Sequence, residues 1–323
     1  MLILTAPGQG AQAPGFLSAW LELPGVAERI GAWSELAGRD LITLGTTGTA
    51  EEITDTSVAQ PLLVAAALAA AGLLPGAGAS ADAGGDSAPR ADAVAGHSVG
   101  ELGAGALAGV ISADDAMRLV RVRGAAMAAA CGHEATGMVA VLGGDEAAVL
   151  AAIEAAGLTP ANVNGAGQIV AGGTTAQLEA FAASPPAQAR LRPLRVAGAF
   201  HTSHMASAVT ALGQAAEGVS VKDPAVTLLS NADGAVVTSG ATWIERIVAQ
   251  VAAPVRWDRC MATMSSLGVT AFLELPPAGT LTGLAKRGLR GVETLALKTP
   301  DQLDAARDLI KAHAGVNVPK ETI

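Results

Sequence analysis

The chain of 323 residues is 50% hydrophobic and 15% charged, so it can bury a large core and is not predominantly disordered. Its formal net charge of −9 and its 2% of aromatic residues argue against nucleic-acid binding, which uses positive charge and stacked aromatic rings. The length is that of one large domain or two smaller ones.

Apolar runs bounded by turn residues predict alternating strands and helices in the first part of the chain. The predicted elements, in chain order, are a buried strand at 2–6, a Gly- and Gln-rich loop at 7–12, a buried helix at 58–74, a strand at 92–95, a helix of small residues at 99–110 and a longer helix at 113–130. Residues 75–92 are rich in Gly, Ser, Pro and Asp and predict an exposed loop.

The stretch 134–198 has its own pattern of elements. It predicts a strand at 138–142, a helix at 145–156 with an Asp cap, strands at 161–164 and 168–171 around a turn, a helix at 174–183 that starts at Thr, and a strand at 190–196. The order β-α-β-β-α-β is that of a ferredoxin-like unit. Helices at 203–217 and 242–250 and strands at 226–230 and 270–274 follow. We therefore predict an α/β fold, with a body of residues 1–133 and 199–323 and an inserted ferredoxin-like subdomain at 134–198.

Cysteine spacing and hydropathy exclude several kinds of site and location. Cys131 and Cys260 lie far apart and form no CxxC motif, which favours two reduced thiols over a zinc site. Residues 1–10 lack the basic segment of a signal peptide. The apolar run 62–74 is shorter than the about 20 residues that span a bilayer. We therefore expect a soluble, cytoplasmic protein.

Gly96-His97-Ser98-Val99-Gly100 fits the G-x-S-x-G pattern of a serine nucleophile, and no other segment does. A predicted strand precedes it and a helix of small residues follows. Such a sharp turn needs Gly on both sides, and it lifts the serine hydroxyl to a helix start, where free N–H groups stabilise a developing oxyanion. The pattern therefore favours Ser98 as a nucleophile over a structural Gly-Ser turn.

A serine nucleophile needs a base, and the chain has five histidines. His97 adjoins Ser98 on the turn, so its side chain should point away. His133 lies in a Gly-rich connection and His313 lies near the C-terminal end. Two histidines remain as candidate bases, His201 and His204, and their position in the sequence leaves both open.

Five motifs occur in order along the chain, namely GQGAQ at 8–12, GHSVGE at 96–101, VRG at 122–124, GAFH at 198–201, and Gln250 ahead of PVRW at 254–257. On these motifs the chain resembles the malonyl-CoA:acyl carrier protein transacylases, above all those of actinomycetes, over nearly its whole length. The resemblance implies an α/β-hydrolase-like core with a ferredoxin-like subdomain. One departure is Ala253, where family members often carry Asn.

The resemblance also implies a role for individual residues. Ser98 would carry the malonyl ester and His201 would be its general base, oriented by a main-chain carbonyl near Gln250. The remaining implied roles are an oxyanion hole from the Gln9 and Val99 N–H groups, and substrate binding by Arg123, Phe200 and Gln250. Arg123 would hold the malonyl carboxylate in a bidentate fork, and a Phe200 ring would fill the space of an α-methyl branch.

The implied reaction is ping-pong transfer of malonyl from malonyl-CoA to the phosphopantetheine thiol of holo acyl carrier protein, in fatty acid or polyketide synthesis. It needs no cofactor and no metal, and a monomer is the default expectation. Because carrier proteins are typically acidic, an acidic enzyme needs local basic patches to bind one; the candidates are Arg190, Arg192, Arg195, Lys286 and Arg287. The alternatives are a serine hydrolase or thioesterase with the same turn, and a carrier-docking module without activity.

Overall fold

In the computed structural model of the protein, residues 1–75, 91–132 and 134–315 are described. The loop predicted at 75–92 lies, from residue 76 to residue 90, outside the described residues. The strands are β1 (Leu2–Ala6), β2 (Ala93–Gly96), β3 (Thr136–Gly143), β4 (Thr159–Gly165), β5 (Gln168–Thr174), β6 (Ala189–Pro193), β7 (Thr227–Leu229), β8 (Val236–Val237), β9 (Val255–Arg256), β10 (Ala271–Glu274) and β11 (Glu293–Ala296). The α-helices are α1 (Ser18–Leu21), α2 (Val26–Ala37), α3 (Leu41–Thr46), α4 (Thr56–Ala71), α5 (Gly100–Leu107), α6 (Ala113–Ala130), α7 (Glu146–Ala155), α8 (Thr175–Ala183), α9 (Ala206–Ala216), α10 (Gly240–Gln250), α11 (Trp257–Ser266), α12 (Thr280–Gly288) and α13 (Leu303–His313).

Within the described residues, six strands form the main sheet in the order β11-β10-β1-β2-β7-β8. Neighbouring strands run parallel except β7 and β8, which are antiparallel. All five residues of β1 are buried, as expected for a central strand with helices on both faces of its sheet. Ala6 pairs with Gly96 at the carboxyl ends of β1 and β2, so the loops that follow these two strands start side by side.

The α4 helix lies at the centre of the helical layer, and Ala, Leu and Val fill most of its positions. It packs on α6, and Gly124 permits the close approach because a Cβ there would lie 3.0 Å from the Thr56 carbonyl oxygen. Two long polar side chains, Gln60 and Arg123, are buried on these two helices. Burial of such groups is costly unless partners satisfy them, so this contact serves more than packing.

The segment from β3 to β6 has the predicted order β-α-β-β-α-β, and Asp145 and Thr174 cap its two helices as predicted. Its strands form a second sheet in the order β6-β3-β5-β4-β9. The last strand, β9, comes from the body of the chain and pairs parallel with β4. One face of this sheet covers a small apolar core of its own, and the other face packs against the main core. The segment is thus joined to the body by a shared strand as well as by packing.

The structure confirms most predicted elements, and α6 has the predicted bounds, Ala113–Ala130. The helix predicted at 203–217 begins instead as a 3-10 turn, Ser203–Met205, and continues as α9. Several amphipathic helices were not predicted, because they contain no apolar run. The α2 helix buries Val26, Ile30, Trp33 and Ala37 at helical spacing. No helix in the described parts of the chain has both the length and the apolar character that crossing a membrane requires.

Candidate active site

Ser98 lies in the sharp turn between β2 and α5, with a backbone φ of 53° in the left-handed region. The flanking glycines are required by close backbone contacts. A Cβ on Gly96 would collide with the backbone of Gly100, and a Cβ on Gly100 would collide with the Ala6 carbonyl. The turn therefore has the strand–turn–helix geometry that the G-x-S-x-G pattern predicts.

The Ser98 hydroxyl forms a hydrogen bond with a buried histidine. Ser98 Oγ lies 2.7 Å from His201 Nε2, and His201 Nδ1 lies 2.8 Å from the main-chain oxygen of Gln250. Since a carbonyl oxygen can only accept, Nδ1 carries the ring proton and Nε2 is free to accept the proton of the serine hydroxyl. The Gln250 carbonyl also accepts the N–H of Ala253 at 3.2 Å. Because Ala253 contributes its backbone here, the residue type at that position does not alter this bond.

Burial and the positive charge of Arg123 lower the pKa of His201 to about 3, so its imidazole is neutral at pH 7. The other histidines within the described residues bond elsewhere. His97 Nε2 bonds to Asn164 at 2.9 Å, and His204 pairs with Glu134 at 3.2 Å. His313 bonds to Thr270 and Glu293. Of the two candidate bases that the sequence left open, the structure brings His201 to Ser98. His133 lies outside the described residues.

Arg123 is the positive charge of the site, and only 1% of it is exposed. Its guanidinium donates to Gln60 Oε1 at 2.8 Å, to Gln250 Oε1 at 2.9 Å and to Ser98 Oγ at 3.3 Å. Burial lowers the pKa of Arg123 to about 10, so it stays charged at pH 7. In the described structure, its hydrogen-bond partners are neutral and no carboxylate lies within ion-pair distance. A buried cation without an anionic partner, beside a nucleophile, suits a substrate that bears a carboxylate.

The backbone N–H groups at the start of α5 differ in whether they have acceptors. The Ser98 N–H donates to Asn231 Oδ1 at 2.8 Å, and the N–H groups of Gly100 and Glu101 donate to turn carbonyls at 2.9 and 3.0 Å. Among the described residues, the Val99 N–H has no acceptor. A free N–H beside the nucleophile at a helix start is suited to bind an oxyanion.

The loop after β1 brings Gln9 beside the same turn. Gly8 lies directly against His97, because a Cβ on Gly8 would be 2.9 Å from His97 Nδ1. The Gln9 side chain donates to the Thr54 carbonyl at 2.9 Å, which anchors the loop. Within the described residues, the Gln9 N–H also lacks an acceptor. The loop thus supplies a second free N–H group next to the turn.

Three buried polar residues of the site were not identified from the sequence. Gln60 bonds to Arg123, Asn231 holds the nucleophile turn by accepting from Ser98 N and donating to the Gly96 carbonyl, and Glu101 accepts from Asn231 N and from the Gln250 side chain. Gln60 could have been found, because it is a polar residue in an otherwise apolar predicted helix. Asn231 follows β7 and has no local pattern that distinguishes it.

Phe200 and the predicted docking residues lie in different surroundings. Phe200 precedes His201 and is 7% exposed, within the main core. The basic docking candidates are all exposed: Arg190 and Arg192 on the edge strand β6, Arg195 just beyond it, and Lys286 and Arg287 in the last turn of α12. Arg192 and Arg195 line a groove of about 640 Å³ together with Leu142, Gln168 and Leu194. The lining of this groove does not include Ser98 or His201.

The site combines a serine, a neutral imidazole, free N–H groups and a buried guanidinium. This set can form an ester on the serine and bind an anionic acyl group. Among the described residues, no three His, Cys, Asp or Glu side chains are grouped so that they could hold a metal ion.

Comparison with known proteins relates nearly the whole chain to one family. Residues 6–311 match the profile of the acyl transferase domain family. The malonyl CoA-acyl carrier protein transacylase of Mycobacterium tuberculosis strain H37Rv is 55% identical over 309 residues, which are 96% of this chain and 100% of that protein. The crystal structure of MCAT from Mycobacterium tuberculosis is 54% identical, has a TM-score of 0.87 and covers 95% of this chain and 99% of its own. A structure described as PlMCAT:AntF (holo), a type II PKS acyl-carrier protein in complex with its malonyl-transacylase, is 29% identical with a TM-score of 0.85, and covers 95% and 99% of the two chains. The chain therefore belongs to the acyl transferase domain family, and its mixed α/β fold is that of MCAT.

Proposed function

We propose that the protein transfers the malonyl group of malonyl-CoA to the phosphopantetheine thiol of holo acyl carrier protein, through a malonyl ester on Ser98. The observation that carries this proposal is the buried guanidinium of Arg123, which lies 3.3 Å from Ser98 Oγ and forms no ion pair with any described carboxylate. The proposal is also supported by the names of the relatives, which are malonyl transacylases over nearly the full chain. The complex of such an enzyme with a carrier protein supports the second substrate.

The first half of the reaction forms the acyl-enzyme. His201 Nε2 takes the proton of the Ser98 hydroxyl as Oγ attacks the thioester carbonyl of malonyl-CoA. The carbonyl oxygen becomes negatively charged and is stabilised by the N–H groups of Gln9 and Val99. The tetrahedral intermediate collapses as the C–S bond breaks, His201 returns the proton to the sulfur, and coenzyme A leaves as the thiol.

The second half repeats these steps with a different thiol. His201 takes the proton of the phosphopantetheine thiol, the sulfur attacks the malonyl ester, and Ser98 leaves with the proton restored to its oxygen. Arg123 binds the malonyl carboxylate throughout, and Gln250 orients both Arg123 and His201. Because a thioester is exchanged for a thioester, the reaction needs no external energy source, and we propose no cofactor and no metal.

The finer architecture and setting are part of the same proposal. We assign residues 1–133 and 199–323 to an α/β-hydrolase-like core and 134–198 to a ferredoxin-like subdomain; the mostly parallel main sheet and the β-α-β-β-α-β order support this division. We further propose a cytoplasmic monomer that binds neither nucleic acid nor membranes, with a role in fatty acid or polyketide synthesis.

A serine hydrolase or thioesterase with the same turn is the alternative that the site disfavours. A buried cation beside the nucleophile would be left unpaired by an apolar ester substrate, which costs free energy. A carrier-docking module without activity is disfavoured because Ser98 and His201 form a direct hydrogen bond.

Intact-protein mass spectrometry tests the proposed function in two steps. Incubation with malonyl-CoA should add one malonyl group to the protein, and subsequent addition of holo carrier protein should remove it and acylate the carrier. Loss of the group to water at the same rate with or without carrier protein would favour the hydrolase. Apo carrier protein, which lacks the thiol, is the control.

The lowered pKa of His201 predicts a flat pH profile for acylation. Because the imidazole stays neutral down to about pH 3, kcat/KM for malonyl-CoA should not fall between pH 8 and pH 5. An acid limb with its midpoint near the ordinary histidine pKa would contradict this role of His201.

The lowered pKa of His201 also predicts that the fold loses stability as the pH falls below 6.5, because His201 in the unfolded chain takes up a proton at a higher pH than in the folded protein. Circular dichroism at each pH separates the two effects.

Phe200 is predicted to favour malonyl over methylmalonyl groups. If its ring occupies the space of an α-methyl branch, Phe200→Ser should raise the methylmalonyl-to-malonyl ratio of acylation rates. One methyl group is worth about 1–3 kcal/mol, so the selectivity of the unmodified enzyme should be incomplete. Phe181 is equally buried in the small core of the second sheet, so Phe181→Ser is a matched control that should leave the ratio unchanged. An equal ratio in both variants would make Phe200 a packing residue only.

Carrier-protein docking is predicted to depend on the exposed basic residues. Added salt should slow transfer to the acidic carrier protein more than it slows acylation by malonyl-CoA, because long-range attraction between exposed charges is screened. The Arg192→Ala/Arg195→Ala variant should lose much of this salt dependence, as should Lys286→Ala/Arg287→Ala. Lys311 is exposed on α13, and its replacement by alanine is the control. Equal salt sensitivity of both half-reactions would argue against the basic patches.

A further inference from the structure

Glu101 is a buried carboxyl group in the first turn of α5, three residues beyond Ser98, and 1% of it is exposed. Its Oε1 accepts the main-chain N–H of Asn231 at 2.8 Å, and its Oε2 accepts from the side-chain amide of Gln250. Burial raises the pKa of Glu101 to about 8, against the opposing effects of the hydrogen bond from the Asn231 N–H and of the charges of Arg123 and Arg246. The proposed reaction gives this group no proton to transfer, so its burial needs another explanation.

The hydrogen bonds fix the orientation of the Gln250 side-chain amide. A guanidinium can only donate, so Gln250 must turn its oxygen toward Arg123. The amide nitrogen then points the other way and donates to Glu101 Oε2, with a longer contact of 3.4 Å to Asn231 Oδ1. Both oxygens of Glu101 thus serve as acceptors, one for the Asn231 N–H and one for the Gln250 amide.

The two oxygens of Glu101 act on different parts of the site. Oε2 acts through Gln250 on Arg123. Oε1 acts through the backbone of Asn231, whose side chain accepts from the Ser98 N–H. Gln250 Nε2 also donates to Asn231 Oδ1 at 3.4 Å, a longer contact that links the amide to the nucleophile turn. A substitution that keeps the contact of Oε1 and changes that of Oε2 therefore acts first on the acid-binding side of the site.

We propose that Glu101 is a positioning residue for binding of the acyl carboxylate. Glu101 orients the Gln250 amide so that the amide oxygen accepts from Arg123. Arg123 is thereby held with its free N–H groups directed toward the malonyl group. This inference rests on the proposed function, because it assumes that Arg123 binds the malonyl carboxylate. Glu101 itself touches neither the substrate nor the reacting atoms. Its effect is on the choice of acyl group rather than on the attack by Ser98.

The variant Glu101→Gln tests the inference with a side chain of the same shape. Its oxygen can still accept from Asn231, so its amide nitrogen faces Gln250. If Gln250 keeps its orientation, its amide nitrogen faces the new amide nitrogen at position 101. If Gln250 turns over, its nitrogen faces the Arg123 guanidinium. Either arrangement places two donors against each other. The ratio of malonyl to acetyl acylation rates should fall at least about tenfold. A purely electrostatic role predicts the opposite, because removal of a negative charge near Arg123 would strengthen binding of the malonyl carboxylate. A rise in the ratio, or no change, would overturn the proposal.

Two further variants separate positioning from loss of the fold. Glu274 is also fully buried, and it accepts from backbone N–H groups at the start of α12. Glu274→Gln is therefore the control: it should lower the melting temperature and leave the malonyl-to-acetyl ratio unchanged. Gln250→Leu should reproduce the lowered ratio, because it removes the side-chain link and keeps the main-chain carbonyl for His201. If Glu101 acts on Arg123 only through the Gln250 side chain, the double variant Glu101→Gln/Gln250→Leu should have the same malonyl-to-acetyl ratio as Gln250→Leu alone. Additive losses would overturn the proposal.

The same assay on Arg123→Ala distinguishes failure of the inference about Glu101 from failure of the proposed function. If Arg123→Ala lowers the malonyl-to-acetyl ratio and Glu101→Gln does not, the inference about Glu101 fails and the proposed function stands. If neither variant changes the ratio, Arg123 does not bind the acyl carboxylate and the proposed function fails with it.

Discussion

Replacement of Ser98 by alanine should abolish the malonyl ester, with no mass increase on incubation with malonyl-CoA. Ser98 Oγ is the hydroxyl that bonds to the neutral His201 at 2.7 Å, and the left-handed turn holds it at the start of α5. The exposed Ser203 follows within a few residues, and Ser203→Ala should accept one malonyl group like the unmodified protein. A Ser98→Ala protein that still gained one malonyl group would assign the ester to another residue.

His201→Ala should lower the rate of acylation by about 10²–10⁴-fold, the usual contribution of a positioned general base. The geometry gives the reason, because Nδ1 is fixed on the Gln250 carbonyl at 2.8 Å and Nε2 faces the serine. His204 pairs with Glu134, so His204→Ala is the matched control and should keep its rate. Unchanged kinetics in His201→Ala, or a large loss in His204→Ala, would move the base to His204.

The nucleophile turn could be predicted from the sequence because its requirements are local. Gly96 and Gly100 lack a Cβ, and a Cβ at either position would collide with neighbouring backbone. The G-x-S-x-G pattern specifies glycine at both positions for this reason. The strand β2 before the turn is a short apolar run, and such a run by itself indicates burial. The helix α6 has its predicted bounds, and in the structure the Ser112 side chain caps its start by accepting the N–H of Asp115.

The partners of the charged residues could not be predicted in the same way. Arg123 meets Gln60 and Gln250 from helices that lie 63 and 127 residues away in the sequence. Glu101 meets Asn231 over a separation of 130 residues. Hydrogen bonds of this kind form where the sheet brings distant elements together, so residue spacing within one segment does not predict them. The strand β9 was missed for a similar reason, since two residues gain strand structure only by pairing with β4.

Arg123→Ala should lower malonyl acylation by roughly 30- to several-thousand-fold, since losing one partner of a buried charge pair costs about 2–5 kcal/mol. Acetyl groups have no carboxylate and cannot use the guanidinium, so their acylation should fall far less or even rise. Arg121 lies on the same helix and is exposed, so Arg121→Ala should leave both rates unchanged. The measurement is the rate of Ser98 acylation by malonyl-CoA and by acetyl-CoA in each variant.

Arg123→Lys separates the charge of the side chain from its shape. An ammonium group supplies a positive charge without the planar fork that holds a carboxylate at two points, so malonyl acylation should recover only in part. The lysine also cannot donate to Gln60, Gln250 and the substrate from one rigid plane, as the guanidinium does at 2.8 and 2.9 Å to the two amides. Full recovery would mean that charge alone selects the acyl group. Equal losses of malonyl and acetyl acylation in Arg123→Ala would make Arg123 a structural residue, and a hydrolase with the same nucleophile would then fit the site as well as a transferase.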